Sequence, residues 1–271
     1  MRYFVTGASG WIGSAVTEEL LAAGHDVVGL ARSERSAAAL RARGITVRAG
    51  SLDDPDGLAA AAAEADGVVH LAFNHDFGDY AAAGRTEHAA VRSMLDALAG
   101  SDRPFLLASG LAGLAGGRPA TEEDPSPYRG PDSPRGGSEN LALEYAARGV
   151  RTVAVRFAPT VHGTGDHGFV AVLTGIAREH GVAGYVGEGA NRWPAVHRSD
   201  AARLVSRALT AAPAGSRLHA VAESGIPTRD IAAAIGDRLG LPTKSIGADD
   251  AAAHFGWMAT FFGADLVATS E

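Results

Sequence analysis

The chain has 271 residues, of which 46% are hydrophobic and 20% charged. This balance fits one large globular domain, or one domain with a smaller appendage. Its net charge is −7 and no run of like charges stands out, which argues against a nucleic-acid or membrane surface. The lack of cysteine excludes disulfides, thiolate metal sites and thiol catalysis.

Short apolar segments alternate with helix-like segments through the first 160 residues. The apolar segments predict strands at 3–5, 26–31, 45–49, 67–72, 104–109 and 151–157. The segments between them predict helices at 12–23, 37–43, 55–65, 85–99 and 138–148. This alternation predicts an α/β fold with a Rossmann-type, doubly wound parallel sheet, covered by helices on both faces.

The alternation weakens beyond residue 160. We expect a Rossmann nucleotide-binding core at 1–160 and a smaller, mainly substrate-binding lobe at 161–271, with room for strands that return to the main sheet. Helices are predicted at 169–180, 200–210 and 228–239, and short strands near 195–196 and 218–221. The Gly- and Pro-rich stretch 110–134 predicts an irregular excursion. Near the end, an aromatic group favours internal packing over a dimer surface: Phe255, Trp257, Phe261 and Phe262.

A glycine-rich turn joins the first strand to the first helix. In Thr6-Gly7-Ala8-Ser9-Gly10-Trp11-Ile12-Gly13, the first glycine permits a tight turn, the second a close approach of a pyrophosphate, and the third close packing of helix on strand. The free backbone N–H groups and the helix dipole would face the anion. This context predicts a dinucleotide site with contacts from Gly7, Ser9, Gly10, Trp11, Ile12 and Gly13.

The end of the second strand favours NADP(H) over NAD(H). An acidic residue at this position would bind the ribose 2′-hydroxyl of NAD, but the chain has Arg32 followed by Ser33. Arg32 could fork onto a 2′-phosphate and Ser33 could add a hydroxyl. Glu34 stands close enough to weaken this preference, and the alternative is that Arg32 is only a solvated arginine before a helix.

The turn resembles that of the extended and atypical short-chain dehydrogenase/reductase superfamily, and in detail an NAD(P)-dependent epimerase/dehydratase-like subgroup. Further segments match that family in order: Gly50–Asp53, His70–Ala72, Leu107–Ser109, Val155–Gly163 and Trp193–Asp200. The resemblance implies that these segments approach, in turn, the adenine, the ribose and phosphates, the reacting carbon, the nicotinamide and the substrate. It implies cofactor contacts at Ser51, Leu52, Leu71, Ala72, Phe73, Ser109, Glu139 and Pro159.

The resemblance fails at the catalytic pair. The family normally uses Tyr-x-x-x-Lys, in which the lysine lowers the pKa of the tyrosine that transfers the proton. The matching positions here are Arg135 and Glu139; the only lysine is Lys244, and no tyrosine precedes it by four residues. The family's active-site asparagine falls on Glu87. Glu139 would raise the pKa of a phenol rather than lower it; it could accept hydrogen bonds from ribose hydroxyls, or pair with Arg135 on one helix face.

Three residues are candidates to handle the substrate's proton. Ser109 could hydrogen-bond a carbonyl oxygen, although without a base it would be a poor proton donor, and its hydroxyl could simply contact cofactor or backbone. His162 is a candidate because imidazole is the side chain most often used as a general acid or base, with a half-buried structural histidine as the alternative. Tyr128 could reach in as part of a lid, or pack on the surface. Asp200 is expected to cap a helix that begins at Ala201.

No metal is expected, because His70, His75 and Asp76 lack ligand-like spacing. The first residues lead straight into the glycine turn without a signal-peptide pattern, and no apolar run approaches the ~18 residues of a membrane helix. We therefore expect a cytoplasmic monomer or homodimer that binds a small-molecule substrate and neither nucleic acid nor membrane.

Three functions stay open. The first is an NADP(H)-dependent oxidoreductase of the atypical short-chain type, which acts on a small carbonyl or alcohol. The second, suggested by the loss of both tyrosine and lysine, is a non-catalytic NADP(H)-binding sensor or regulator. The third is a sugar-type epimerase or dehydratase that keeps its cofactor tightly bound.

Overall fold

The fold is described from a computed structural model, which describes residues 1–74 and 79–271. These residues divide into two units, each assembled from separate stretches of chain. The first unit comprises Met1–Ser109, Pro125–Arg156 and Arg198–Leu218, and the second comprises Gly110–Asp124, Phe157–His197 and His219–Glu271. This division differs in detail from the predicted boundary at residue 160, because the segment 198–218 returns to the first unit.

Strands and helices follow one another along the described chain, with two 3-10 turns at Pro134–Gly137 and Tyr145–Arg148. The strands are β1 (Arg2–Thr6), β2 (Asp26–Ala31), β3 (Thr46–Ala49), β4 (Gly67–His70), β5 (Pro104–Gly110), β6 (Arg151–Phe157), β7 (Thr160–His162), β8 (Ala183–Val186), β9 (Arg192–His197), β10 (Ser216–Ala220), β11 (Glu223–Pro227) and β12 (Thr243–Ile246). The helices are α1 (Trp11–Ala22), α2 (Glu34–Arg41), α3 (Pro55–Ala63), α4 (Tyr80–Leu98), α5 (Ser138–Glu144), α6 (Phe169–His180), α7 (Arg198–Ala211), α8 (Thr228–Leu239), α9 (Ala248–Phe255) and α10 (Met258–Phe262).

A seven-stranded sheet with the order β10-β6-β5-β4-β1-β2-β3 forms the centre of the fold. β1 pairs in parallel with β2 on one side and with β4 on the other, where Thr6 lies opposite His70. The order reverses at β1, and open parallel sheets bind their ligands at the carboxyl ends of the strands beside such a reversal. The predicted Rossmann-type α/β fold is therefore confirmed, and its topology directs attention to the ends of β1 and β4.

Helices bury this sheet. All four residues of β4 are buried, and α3 packs against α4 on one side while α1 packs against α7. The core includes Phe4, Val68, Leu98 and Phe105, none with exposed surface. Burial on both faces explains why the strands read as apolar runs rather than as alternating patterns.

The second unit contains two smaller sheets, with the orders β11-β9-β7 and β12-β8. Its core is built around Trp193, which is fully buried. Phe255 and Phe262 lie in that core, as the packing prediction expected, whereas Trp257 is half exposed.

Several boundaries differ from those predicted. α4 begins at Tyr80 rather than near Arg85, because Asp79 caps it by accepting a hydrogen bond from the Ala82 N–H (3.0 Å). The predicted cap at Asp200 is wrong: α7 already begins at Arg198, and Asp200 lies in its first turn, where it pairs with Arg203. The excursion is confirmed, since the described residues 111–133 contain no helix or strand beyond an isolated bridge at Ala120.

Within the two described ranges, no helix has both the length and the apolar character that a bilayer crossing requires.

Candidate functional site

The glycine turn is packed so tightly that side chains are excluded from it. Gly7 has a φ of +68°, and a Cβ there would lie 2.8 Å from the backbone of Leu71 and Ala72. A Cβ on Gly13 would overlap the carbonyl oxygen of Gly7. These contacts leave a backbone-lined cradle between the end of β1 and the end of β4, as the turn's sequence predicted.

The first turn of α1 faces this cradle. Its N-cap is Gly10, whose N–H donates to the Gly7 carbonyl (2.9 Å), and no side chain caps the helix. The positive end of the helix and its backbone N–H groups are thus presented without a competing carboxylate or hydroxyl. The cradle fits the pyrophosphate of a dinucleotide in both shape and donor chemistry.

Thr6 and His70 fasten the ends of β1 and β4 together. Thr6 Oγ1 accepts hydrogen bonds from the N–H groups of Leu71 and Ala72 (3.2 Å each), so its own hydrogen is left to donate to His70 Nδ1 (2.9 Å). The proton of a neutral His70 is then on Nε2, which lies 3.9 Å from Glu87 Oε1. Burial, and secondarily the charge of Arg135, lower the pKa of His70 to about 3, so this imidazole is neutral at physiological pH.

The end of β2 carries an exposed cation. Ser33 caps α2 in a reciprocal capping box with Ser36, and Glu34 pairs with Arg41 (2.6 Å). The charge of Glu34 is thus already paired, and Arg32 has no ion partner among the described residues. The predicted phosphate contacts of Arg32 and Ser33 stay predictions, and the Ser33 hydroxyl already has a structural role.

Local contacts hold the loop after β3, which the resemblance predicts to approach the adenine. Ser51 Oγ accepts a hydrogen bond from the Asp53 N–H (3.2 Å), and Leu52 packs partly against the core of the first unit. The predicted cofactor contacts of these two residues stay predictions.

Ser109 donates a hydrogen bond to a buried carboxylate. Its Oγ lies 2.6 Å from Oε2 of Glu139, at the carboxyl end of β5. Glu139 is only 5% exposed and accepts from Arg156, which is fully buried in β6, through Nε (3.2 Å to each oxygen) and Nη2 (2.6 Å). Arg217 adds a second cation, with Nε 3.7 Å from Oε1. The Ser109 hydroxyl thus has a carboxylate acceptor that the sequence did not reveal, and its catalytic role stays a prediction.

The predicted pairing of Arg135 with Glu139 is also wrong. Arg135 lies not in α5 but in the 3-10 turn before it, with a left-handed φ of +52°. From there it binds the buried Glu87 instead, through Nη2 (2.8 Å) and Nε (3.3 Å). Burial alone would lower the pKa of Arg135, but the charge and hydrogen bonds of Glu87 raise it. Two separate ion pairs thus replace the expected single pair.

Aromatic side chains adjoin the Arg135–Glu87 pair. The Arg135 guanidinium lies 4.4 Å from the centre of the Phe73 ring, and that ring contacts Tyr80 edge to face. Burial raises the pKa of Tyr80, and the charge of Tyr128 acts in the same direction. Tyr128 is half-buried, and its carbonyl oxygen accepts from Asn140 Nδ2 (2.6 Å). Its catalytic role stays a prediction.

His162 and Pro159 belong to the second unit. His162 in β7 lies opposite His197 in β9, and their rings meet edge to face at 5.4 Å. Pro159 is half-buried between β6 and β7. The predicted roles of both residues stay predictions.

Of the residues considered for a metal, His75 and Asp76 lie outside the described residues. His70 Nδ1 is bonded to Thr6. Among the described residues, no group of three or more histidine and carboxylate side chains is arranged for a metal ion.

The sequence reasoning missed Arg156 and Arg217. Arg156 did leave a signal, since it interrupts the apolar run of β6, and a charge within a strand buried on both faces needs a carboxylate partner. Arg217 left none, because it stands at the start of a short strand whose place at the edge of the sheet depends on long-range pairing.

Comparison with known proteins supports the same fold and family. The chain is 46% identical to the uncharacterized protein C2A9.02 of Schizosaccharomyces pombe over 98% of its length and 90% of the relative's. It is 42% identical to the uncharacterized protein YLL056C of Saccharomyces cerevisiae, over 100% of this chain and 91% of the relative. Among solved structures, it matches the fold of DesIV, a dTDP-glucose 4,6-dehydratase from Streptomyces venezuelae crystallised with NAD and TYD. This match has a TM-score of 0.75 and 22% identity, over 91% of this chain and 84% of the other.

The family model matches most of the chain, including the glycine turn, Ser109, Glu139 and Arg156. It covers residues 3–221. The chain belongs to the NAD dependent epimerase/dehydratase family, and its fold is that of the family's NAD(P)-binding enzymes.

Proposed function

We propose that this protein is an NADP(H)-dependent oxidoreductase of the atypical short-chain type, which interconverts a small alcohol and its carbonyl compound. The hydrogen bond from Ser109 to Glu139 carries the proposal, because it places a hydroxyl and a proton acceptor together at the end of β5. β5 is the neighbour of β4, whose end lies against the glycine turn. A reacting carbon between the two would have a nucleotide on one side and a proton route on the other.

The glycine turn would hold the dinucleotide through the backbone N–H groups at the start of α1, and Arg32 would bind the 2′-phosphate that distinguishes NADP from NAD. When bound, the nicotinamide supplies the hydride acceptor for oxidation and the hydride donor for reduction. Thr6 and His70 keep β1 and β4 in register beneath it. Because the pKa of His70 is so low, this latch carries no charge that would disturb the cofactor near neutral pH.

Ser109 and Glu139 would move the proton. Since Ser109 donates its hydrogen to Glu139, its lone pairs are free to accept the hydrogen of a substrate hydroxyl. During oxidation, the substrate O–H bond breaks toward Ser109 Oγ while the serine proton passes to Glu139 Oε2, and reduction runs through the same atoms in reverse. Arg156 holds the Glu139 carboxylate in place through Nε and Nη2. The chain would thereby dispense with a Tyr-x-x-x-Lys pair.

The cofactor part is tested by titrating NADPH and NADH and following nucleotide fluorescence. We expect tighter binding of NADPH, and in Arg32→Ala a loss of about tenfold to a hundredfold for NADPH alone, as expected for a charged hydrogen bond. Arg35→Ala, an exposed arginine three residues on, is the matched control. Equal losses for both nucleotides, or tighter NADH binding by the unaltered protein, would refute the NADP(H) assignment.

The reaction is tested by screening alcohols and carbonyl compounds while following NADPH absorbance. Ser109→Ala should lower turnover by about 10²- to 10⁴-fold with NADPH affinity retained. No turnover across a broad panel, together with an NADPH-dependent change in affinity for a protein partner, would favour the sensor. A cofactor that never exchanges while sugar epimers interconvert would favour the epimerase.

A further inference from the structure

We propose that the substrate carries an oxyanion, either a carboxylate or a phosphate, and that Arg135 binds it. The inference rests on the proposed function for the identity of the reaction, but the binding of the anion can be measured without turnover. The inference starts from the guanidinium group of Arg135, which the fold holds in a strained turn.

The turn that carries Arg135 is strained and firmly anchored. Arg135 has a φ of +52° and is followed by Gly136 and Gly137, also in the left-handed region. A non-glycine residue in this conformation costs about 1–2 kcal/mol. Gly136 lies so close to Gly84 of α4 that a Cβ would overlap its carbonyl oxygen, and His88 Nδ1 contacts the Gly136 oxygen at 2.6 Å. The fold thus keeps an arginine where a glycine would be relaxed.

The Arg135 guanidinium is only partly used by its partners. Nε and Nη2 bind Glu87, and one face lies over Phe73. A guanidinium has five N–H donors, and Nη1 of Arg135 has no partner among the described residues. The side chain is 27% exposed, whereas Glu87 is 1% exposed. The pair is therefore accessible through its guanidinium side chain, whereas its carboxylate is hidden.

Among the described residues, the ion pairs of Glu87 and Glu139 together contain more cations than carboxylates. Two carboxylates, of Glu87 and Glu139, face the three guanidinium groups of Arg135, Arg156 and Arg217 in the described part of the site. Arg217 Nε is buried without a hydrogen-bond partner, although its side chain is 28% exposed. An excess cation in a partly buried site attracts an anion more strongly than the same cation would in bulk water.

The position of Arg135 connects it to the reacting groups. Phe73, beneath the guanidinium, directly follows Leu71 and Ala72, whose backbone lies against Gly7 of the glycine turn. The charge of Glu139, which holds Ser109, also acts on Arg135. These contacts connect Arg135 to the segment that packs on the glycine turn and to the carboxylate that binds Ser109. A planar guanidinium fork suits carboxylate and phosphate alike.

Binding is tested by titrating the NADP+-loaded protein with oxalate and with inorganic phosphate in a calorimeter. We expect one-to-one binding of at least one probe, weakened at least tenfold in Glu87→Gln/Arg135→Gln, which removes the cation without stranding a buried carboxylate. Glu87→Gln alone should bind as tightly or more tightly, since it releases Arg135 from its partner. The matched control is Arg85→Gln, because Arg85 is an exposed arginine on α4, the helix that carries Glu87. Equal binding by the double variant, or displacement of NADP+ by the probes, would overturn the proposal.

Kinetics separate the two sources of the anion. The rate constants kcat/KM are compared for a 2-hydroxy acid and its methyl ester, and for glycerol phosphate and glycerol. The favoured member should be anionic, and Glu87→Gln/Arg135→Gln should reduce its advantage at least tenfold. Turnover of neutral compounds only would overturn the anion site and leave the oxidoreductase standing. Anion binding through Arg135 without any turnover would support the anion site and overturn the proposed oxidoreductase.

Discussion

The glycine turn lies in the same unit as the Ser109 corner, which is formed by Ser109, Glu139 and Arg156. The two regions are built in opposite ways. The turn depends on the absence of side chains: Gly7 and Gly13 bring backbone against backbone. The Ser109 corner depends on charged side chains, with Glu139 buried between Ser109 and Arg156. The turn should therefore respond most to added volume, and the Ser109 corner should respond most to the loss of a charge. Such a division would allow the proposed proton route to differ from the family's usual one without change to the glycine turn.

The largest effect is expected from Arg156→Met. This change leaves the buried carboxylate of Glu139 with only the more distant Arg217 as a cation, and breaking a buried ion pair typically costs about 3–5 kcal/mol. Arg156→Met/Glu139→Gln should recover most of this loss, because the buried carboxylate is removed together with its main partner. The free energy of unfolding in urea measures both. Arg217→Met, whose cation is partly exposed and more distant, is the control, and a loss as large as that of Arg156→Met would contradict the account.

Acid should destabilise the protein through His70, which fastens the end of β4 to the end of β1. Its pKa is near 3 when folded and about 6.5 when unfolded, so the unfolded chain binds the additional proton between these values. Stability should therefore fall as pH drops from 6.5 toward 3, at about 1.4 kcal/mol per pH unit from this residue. His70→Asn should show a shallower fall in urea unfolding at successive pH values. Parallel curves for the two proteins would contradict the assignment.

Gly13→Ala tests the sensitivity of the turn to volume. The added methyl group would overlap the Gly7 carbonyl and push α1 away from β1, with a cost of about 1–3 kcal/mol. NADPH binding should be lost at the same time, because the donors move with the helix. Gly175→Ala in α6 has open space around it and should be neutral or slightly stabilising. Unchanged NADPH affinity in Gly13→Ala would show that the cradle is not the nucleotide site.

Glu34→Gln should have the smallest effect. Glu34 pairs with Arg41 on the surface, and such pairs contribute about 0.2–1 kcal/mol. Because its charge is already matched, the ratio of NADPH to NADH affinity should change less than twofold. A marked gain in NADPH preference would show that Glu34 opposes the Arg32 site after all.

The two regions also differ in how far they could be predicted from the sequence. Local patterns found the glycine turn, because a strand, three spaced glycines and a helix are neighbours along the chain. The Ser109–Glu139–Arg156 contacts join residues that are 17 to 30 positions apart in sequence, and no local pattern links them. The prediction that Arg135 and Glu139 share a helix face overlooked Gly136 and Gly137, which take left-handed conformations and end the turn before α5.

Some elements of the second unit were missed for a related reason. β7, β8 and β12 are three or four residues long, and their pairing rather than their composition makes them strands. Propensity is weak over so few residues, and tertiary contacts decide.

A double-mutant cycle on kcat/KM tests the central claim most directly, namely that Ser109 and Glu139 act together in transferring the proton. Ser109→Ala, Glu139→Gln and the double variant would be compared with the unaltered protein, using NADPH binding as the check that each is folded. We predict losses of about 10²-fold or more for each single variant and no further loss in the double variant. Losses that multiply in the double variant, or a Glu139→Gln protein with undiminished turnover, would contradict it.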